Sequence, residues 1–175
     1  MEKEQRRGPS ELTPREVARI ATASALEHGR HVPTVIVEGS LRRVARPIEN
    51  FPETQEGKAQ RVFSFGFALG QTQAVGKLKQ VFFVSEGWMS AGQRGDRPRT
   101  RPSQDPHRQE VLFVFHQAVE PHQTGLLLFE MIRDAAGHLV ELREAQESGE
   151  ADGHVESPLL DAFVAGFDLG MAKLN

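Results

Sequence analysis

Between Ser90 and Arg108 the chain reads S-A-G-Q-R-G-D-R-P-R-T-R-P-S-Q-D-P-H-R. Arg94, Arg97, Arg99, Arg101 and Arg108 stand there against Asp96 and Asp105 alone. Guanidinium forks match phosphate and carboxylate geometry, so five arginines in one segment suit an anionic partner. A long stretch without periodicity inside a domain is usually either functional or a solvated loop. Trp88, the single Trp, stands just before it with Glu86 and Met89 at its sides. Trp beside Arg suits a binding anchor or a base-stacking platform, and equally a half-buried core Trp at a strand end. Trp88, Arg97, Arg99, Arg101 and Arg108 are the expected anion- or partner-binding residues. Ser103 and Asp105, between Pro102 and Pro106, can close local turns that orient Arg101 and Arg108.

Other chemistry is weaker. His28 and His31 flank Gly29-Arg30, and Glu38 follows in a strand, so these three are the candidate metal ligands. A histidine at a helix end also interacts favourably with the last carbonyls. The remaining histidines show no H-E-x-x-H spacing. G-x-S-x-G, G-x-x-x-x-G-K-[ST] and G-x-G-x-x-G are all absent, so no cofactor is expected and no catalytic residue is assigned. Glu38, Glu86, Glu110 and Glu130 lie in or beside strands. Glu38, Glu86, His28 and His31 would serve a small hydrolase or isomerase only if they met in a sheet-edge pocket.

Composition narrows the classes. In 175 residues, 21 Lys+Arg face 24 Asp+Glu, a net charge of −3, which argues against a wholesale polyanion binder. With no Cys, disulfide scaffolds and Cys-ligated zinc are excluded. No apolar run reaches the roughly 20 residues of a membrane span, and Met1 to Pro9 lacks the apolar core of a signal peptide. A cytoplasmic protein without membrane contact is expected, with residues 1–9 as a disordered leader and 10–175 as one domain carrying the long loop 90–108.

The elements that must position these residues are well marked. Thr13-Pro14-Arg15-Glu16 is a capping box with Pro at the first helical position, and Val17, Ile20, Ala21 and Ala25 share a face up to Gly29. This predicts a helix over 14–28. Pro33 to Glu38, closed by Gly39, reads as a buried strand, and the weak alternation from Leu41 to Ile48 allows a second, edge-like strand, which Pro47 would suit. Val62, Phe65 and Leu69 predict a helix over 56–72, although Gly66 and Gly70 each weaken it by about 1 kcal/mol. Lys77 to Met89, Gln109 to Val119, Thr124 to Asp134 and Leu139 to Ala145 read as strands. The last three, joined by short connections, predict an antiparallel meander. Ser157-Pro158 opens a helix over 158–172.

Two helices share a pattern. Phe63 to Gly70 and Phe163 to Gly170 both read F-x-x-G-F-x-L-G. Duplication is one explanation. The other is that two helices that cross closely, or that press on the sheet, both need a small residue each turn between Phe anchors. The second places both on one side of the sheet. The expected fold is α+β: a mainly antiparallel sheet of about five strands, with three helices packed largely on one face.

The segments His28-Gly29-Arg30-His31-Val32-Pro33-Thr34, Val81 to Met89, and Arg101 to Leu112 (R-P-S-Q-D-P-H-R-Q-E-V-L) resemble a family of small bacterial and phage-associated proteins. The likeness spans about residues 20–145. It implies a bacterial or phage origin, and it supplies no activity and no catalytic residue. With no catalytic motif and an Arg-rich loop beside the lone Trp, a non-enzymatic binding or assembly module is expected, homo-oligomeric, with an anionic protein or nucleic acid as partner.

Overall fold

The computed structural model describes residues 11–89, 104–145 and 157–173. The leader 1–9, most of the loop 90–108, and thus Arg94, Arg97, Arg99 and Arg101 lie outside the described residues.

The element order is α1 (Pro14–His28), β1 (Thr34–Gly39), β2 (Arg43–Pro47), α2 (Gln55–Thr72), β3 (Leu78–Met89), β4 (Gln109–Ala118), β5 (Gln123–Arg133), β6 (Leu139–Glu144) and α3 (Pro158–Ala172). The strands form one sheet in the order β2-β1-β3-β4-β5-β6, and every neighbouring pair is antiparallel. The α+β expectation holds, with six strands instead of five.

Local chemistry explains the ends of α1. The Thr13 hydroxyl accepts from the Glu16 N–H, and the Glu16 carboxylate accepts from the Thr13 N–H at 2.8 Å. Gly29 stops the helix in the left-handed region, at φ 71°. That conformation costs an L side chain energy and costs Gly none.

The expectation that the three helices pack largely on one face is corrected for α1. Only α2 and α3 do. β3 is apolar on both sides: Val81 and Phe83 join Val35, Val37, Val62, Leu160, Phe163 and Phe167, whereas Phe82 and Val84 join Val17, Ala18, Ala21 and Ala25 of α1. Since side chains alternate along a strand, these two clusters lie on opposite faces. A sheet with apolar residues on both faces must be covered on both, so α1 packs across β4, β5 and β6 on the face away from α2 and α3.

The repeated glycine pattern has a geometric meaning. A Cβ at Gly66 would lie 2.3 Å from the Phe163 carbonyl oxygen, and a Cβ at Gly166 would lie 2.3 Å from that of Phe63. Gly70 meets the Phe167 carbonyl and Gly170 that of Phe67 in the same way. The contacts advance along both chains together, so α2 and α3 run parallel and touch backbone to backbone. The two helices are related by a local two-fold, as their shared pattern suggests.

Candidate functional site

On β3 the alternation that places Phe82 and Val84 under α1 continues to Glu86 and Trp88. Glu110 of β4 is directly opposite Trp88. Arg133 ends β5, and α1 ends above them at Gly29. The result is a surface cluster of His31, Glu86, Trp88, Arg108, Glu110 and Arg133.

Its parts hold one another. Arg133 grips Glu110 with two bonds, Nε to Oε2 at 2.6 Å and Nη2 to Oε1 at 2.9 Å. Its Nη1 also donates to the Gly29 carbonyl at 3.1 Å. One guanidinium therefore neutralises a carboxylate and ties down the end of α1. The His31 backbone N–H donates to Glu86. The Arg108 guanidinium lies over the Trp88 ring, 4.4 Å from its centroid, and Trp88 is still 44% exposed. Arg108 is set by a turn: Asp105 Oδ1 accepts from the His107 N–H, and the Asp105 carbonyl from the Arg108 N–H.

Electrostatics differ within the cluster. Burial pushes the Glu86 carboxyl above the ordinary 4.5; the His31 N–H opposes this, Glu110 adds to it, and Arg133 and Arg30 oppose it. Burial holds the His31 imidazole below its ordinary 6.5, with the Val32 backbone opposing the shift, and among the described residues its Nδ1 lacks a hydrogen bond of good geometry.

The candidate metal ligands do not come together. His28 is exposed, with Nδ1 2.9 Å from the Ser24 carbonyl, as suits a helix end. Glu38 pairs across to Gln80, six residues along β3 from Glu86, or about 20 Å at strand rise. Among the described residues no three His, Asp or Glu side chains form a metal site. The acid–base set is also divided: His31 and Glu86 meet, while His28 and Glu38 stand apart.

Glu38 belongs to a second polar cluster at the opposite end of α1. It accepts from the Leu12 N–H at 3.0 Å, from Gln80 Nε2 and from Arg43. Gln80 Nε2 also donates to the Leu12 carbonyl at 2.7 Å, and His116 Nε2 lies 2.9 Å from Gln80 Oε1. Burial alone would raise the Glu38 pKa, but the bonds from Arg43, Gln80 and Leu12 outweigh it and the net displacement is downward. This network anchors the start of α1.

Sequence reasoning missed Arg133, and it named Glu110 only as an acid in a strand. The two are 23 residues apart and meet only because β4 and β5 pair. The one available signal was an Arg at the end of an otherwise apolar strand, where an unpaired charge would be costly. No family model, curated protein or solved structure matches this chain.

Proposed function

We propose that this protein is a non-enzymatic binding module that meets an anionic partner on the surface around Trp88 and Arg108. The observation that carries the reading is the Arg108 guanidinium stacked over a ring that stays 44% exposed. A large, half-exposed aromatic with a cation on its face supplies a flat stacking surface and a positive charge together. The neighbouring acids do not oppose an anion strongly. Glu110 is paired with Arg133, and Glu86 is half-buried and accepts from the His31 N–H. The arginines of 94–101 lead into this platform along the chain. The groove between β2 and α2 is lined by none of the cluster's residues.

The test uses Trp88 as its own reporter, since it is the single Trp. Titration with a single-stranded oligonucleotide at low salt should quench its emission. The affinity should fall with salt at a slope of several counterions. Arg108→Ala should weaken binding about threefold to tenfold, from the loss of one cation and its stacking. Absence of binding at low salt to nucleic acid and to an acidic peptide refutes the reading.

Glu86 supports a second reading. A half-buried carboxyl with a raised pKa beside Glu110 and His31 suits proton transfer in a small hydrolase or isomerase. The separation of His28 and Glu38 counts against it. Ester or glycoside turnover lost in Glu86→Gln would favour it.

A further inference from the structure

We infer that two copies of this chain associate through β6, edge to edge, about a two-fold axis at Leu142. This surface is three strands away from Trp88 and independent of the proposed function.

Among the described residues β6 ends the sheet. The Ala145 N–H donates to the Leu128 carbonyl at 2.9 Å, so residue 145 faces inward, toward β5. Alternation then turns Arg143 and Glu141 inward and leaves the N–H and C=O of Leu142 and Glu144 pointing outward. The register slips between Ile132 and Arg133, so Val140 is an extra residue and the regular edge runs from Glu141 to Glu144.

An antiparallel pair of such edges must match outward-facing residues, which permits only certain registers. Centred on Glu141 it sets Glu141 against its own copy, and centred on Arg143 it sets Arg143 against its own copy. Like charges directly opposite each other are unfavourable. Centred on Leu142, the register forms the hydrogen-bonded pair Leu142 with Leu142. It then sets Glu141 opposite Arg143 twice, in the non-hydrogen-bonded positions where side chains come closest. Both side chains are more than half exposed, at 51% and 61%, and among the described residues they pair with each other along the strand, Nη2 to Oε1 at 3.1 Å. The same bond is therefore available across the axis without loss of a buried partner. The edge is short, so the association is weak and depends on concentration.

Charges on an edge strand also serve to prevent pairing, and a charge-exchange experiment separates the two roles. Sedimentation of the full chain across a concentration series at low salt should show a monomer–dimer equilibrium. Glu141→Arg sets Arg against Arg at two symmetric contacts, and Arg143→Glu sets Glu against Glu. Each should weaken dimerisation about tenfold or more. The double exchange Glu141→Arg with Arg143→Glu restores both pairs and should recover dimerisation. Mixing the two single variants should give a heterodimer. Circular dichroism checks that each variant is folded, which their exposure favours. A wild type that stays monomeric throughout overturns the inference and leaves the pair as an edge guard. A dimer indifferent to both reversals overturns it too, since it would use another surface.

Discussion

The close contact between α2 and α3 makes a prediction whose sign is informative. In an isolated helix, Gly→Ala stabilises by about 1 kcal/mol. At Gly66 the new methyl would lie 2.3 Å from the Phe163 carbonyl oxygen, where ordinary contact begins near 3.4 Å. The obstacle is main chain, so no rotamer change relieves it, and the helices must part by about 1 Å. That retreat forfeits a quarter to a half of each dispersive contact across the crossing. Overpacking of this kind costs about 3–4 kcal/mol, at the upper end of measured values. The net for Gly66→Ala is then a loss of about 2–3 kcal/mol, or a melting temperature lower by about 5–10 °C for a domain of this size. Gly166→Ala meets the Phe63 carbonyl at the same 2.3 Å and should cost the same. The double variant is the sharper case. Once one methyl has parted the helices, the second enters space already opened, so the double should fall short of the sum by about 1–2 kcal/mol. Urea titrations of the wild type, both singles and the double measure this directly. Single variants that melt higher than wild type, or a double that is strictly additive, would refute a backbone-to-backbone crossing.

Other expectations follow from the two polar clusters. Glu38 has a pKa below 4.5 in the fold, so the stability it contributes is complete above 4.5 and disappears as pH falls through the lower folded value. Glu38→Gln should therefore cost about 1–3 kcal/mol at neutral pH and nothing in acid, as acid and urea unfolding at several pH values will show. The His31 imidazole is held below 6.5, so the fold loses stability as pH falls through 6.5 toward the folded value. His31→Gln should flatten that part of the stability profile, and proton resonances of the ring should titrate below 6.5. Arg133→Lys keeps the charge but not the fork that spans Glu110 and the Gly29 carbonyl. Hydrogen exchange should accelerate in the last turn of α1 and leave its first turn, held by Glu38 and Gln80, unchanged.

Local signals made the elements legible. The capping box at Thr13 and the Pro at residues 14 and 158 set helix starts that the structure repeats. Short connections at 119–122 and 134–138 dictated the meander, because only antiparallel strands can be joined so briefly. The glycine pattern left open a close approach to a helix or to the sheet, and the structure uses the first: Gly66 and Gly70 meet the main chain of α3, and Gly166 and Gly170 that of α2. The candidate site was legible only where its parts are close along the chain or flank one segment. Trp88 and Arg108 bracket the same loop and were both visible. Glu110 with Arg133, Glu38 with Gln80, and Gln80 with His116 join residues 23 to 42 positions apart, and strand register decides such meetings.

The side of the sheet taken by α1 shows why an amphipathic helix by itself leaves a fold undetermined. The buried stripe of α1 is Val17, Ala18, Ala21 and Ala25, with Ile20 of the expected face 56% exposed, and either side of a sheet satisfies such a stripe equally. The deciding information lies in the strands. Val81-Phe82-Phe83-Val84 has four apolar residues in succession, and a strand turns alternate residues to opposite faces. Leu112 to Phe115 repeats the pattern beside it. Two adjacent strands that are apolar on both sides would leave four large side chains in water if all helices lay on one face, at roughly 1.5–3 kcal/mol each. One helix must therefore cross over. α1 is the one free to do so, because α2 and α3 are held to each other through Gly66, Gly70, Gly166 and Gly170. That crossing brings the end of α1 down over Glu86 and Arg133, so the same demand that covers the second face also assembles the surface around Trp88.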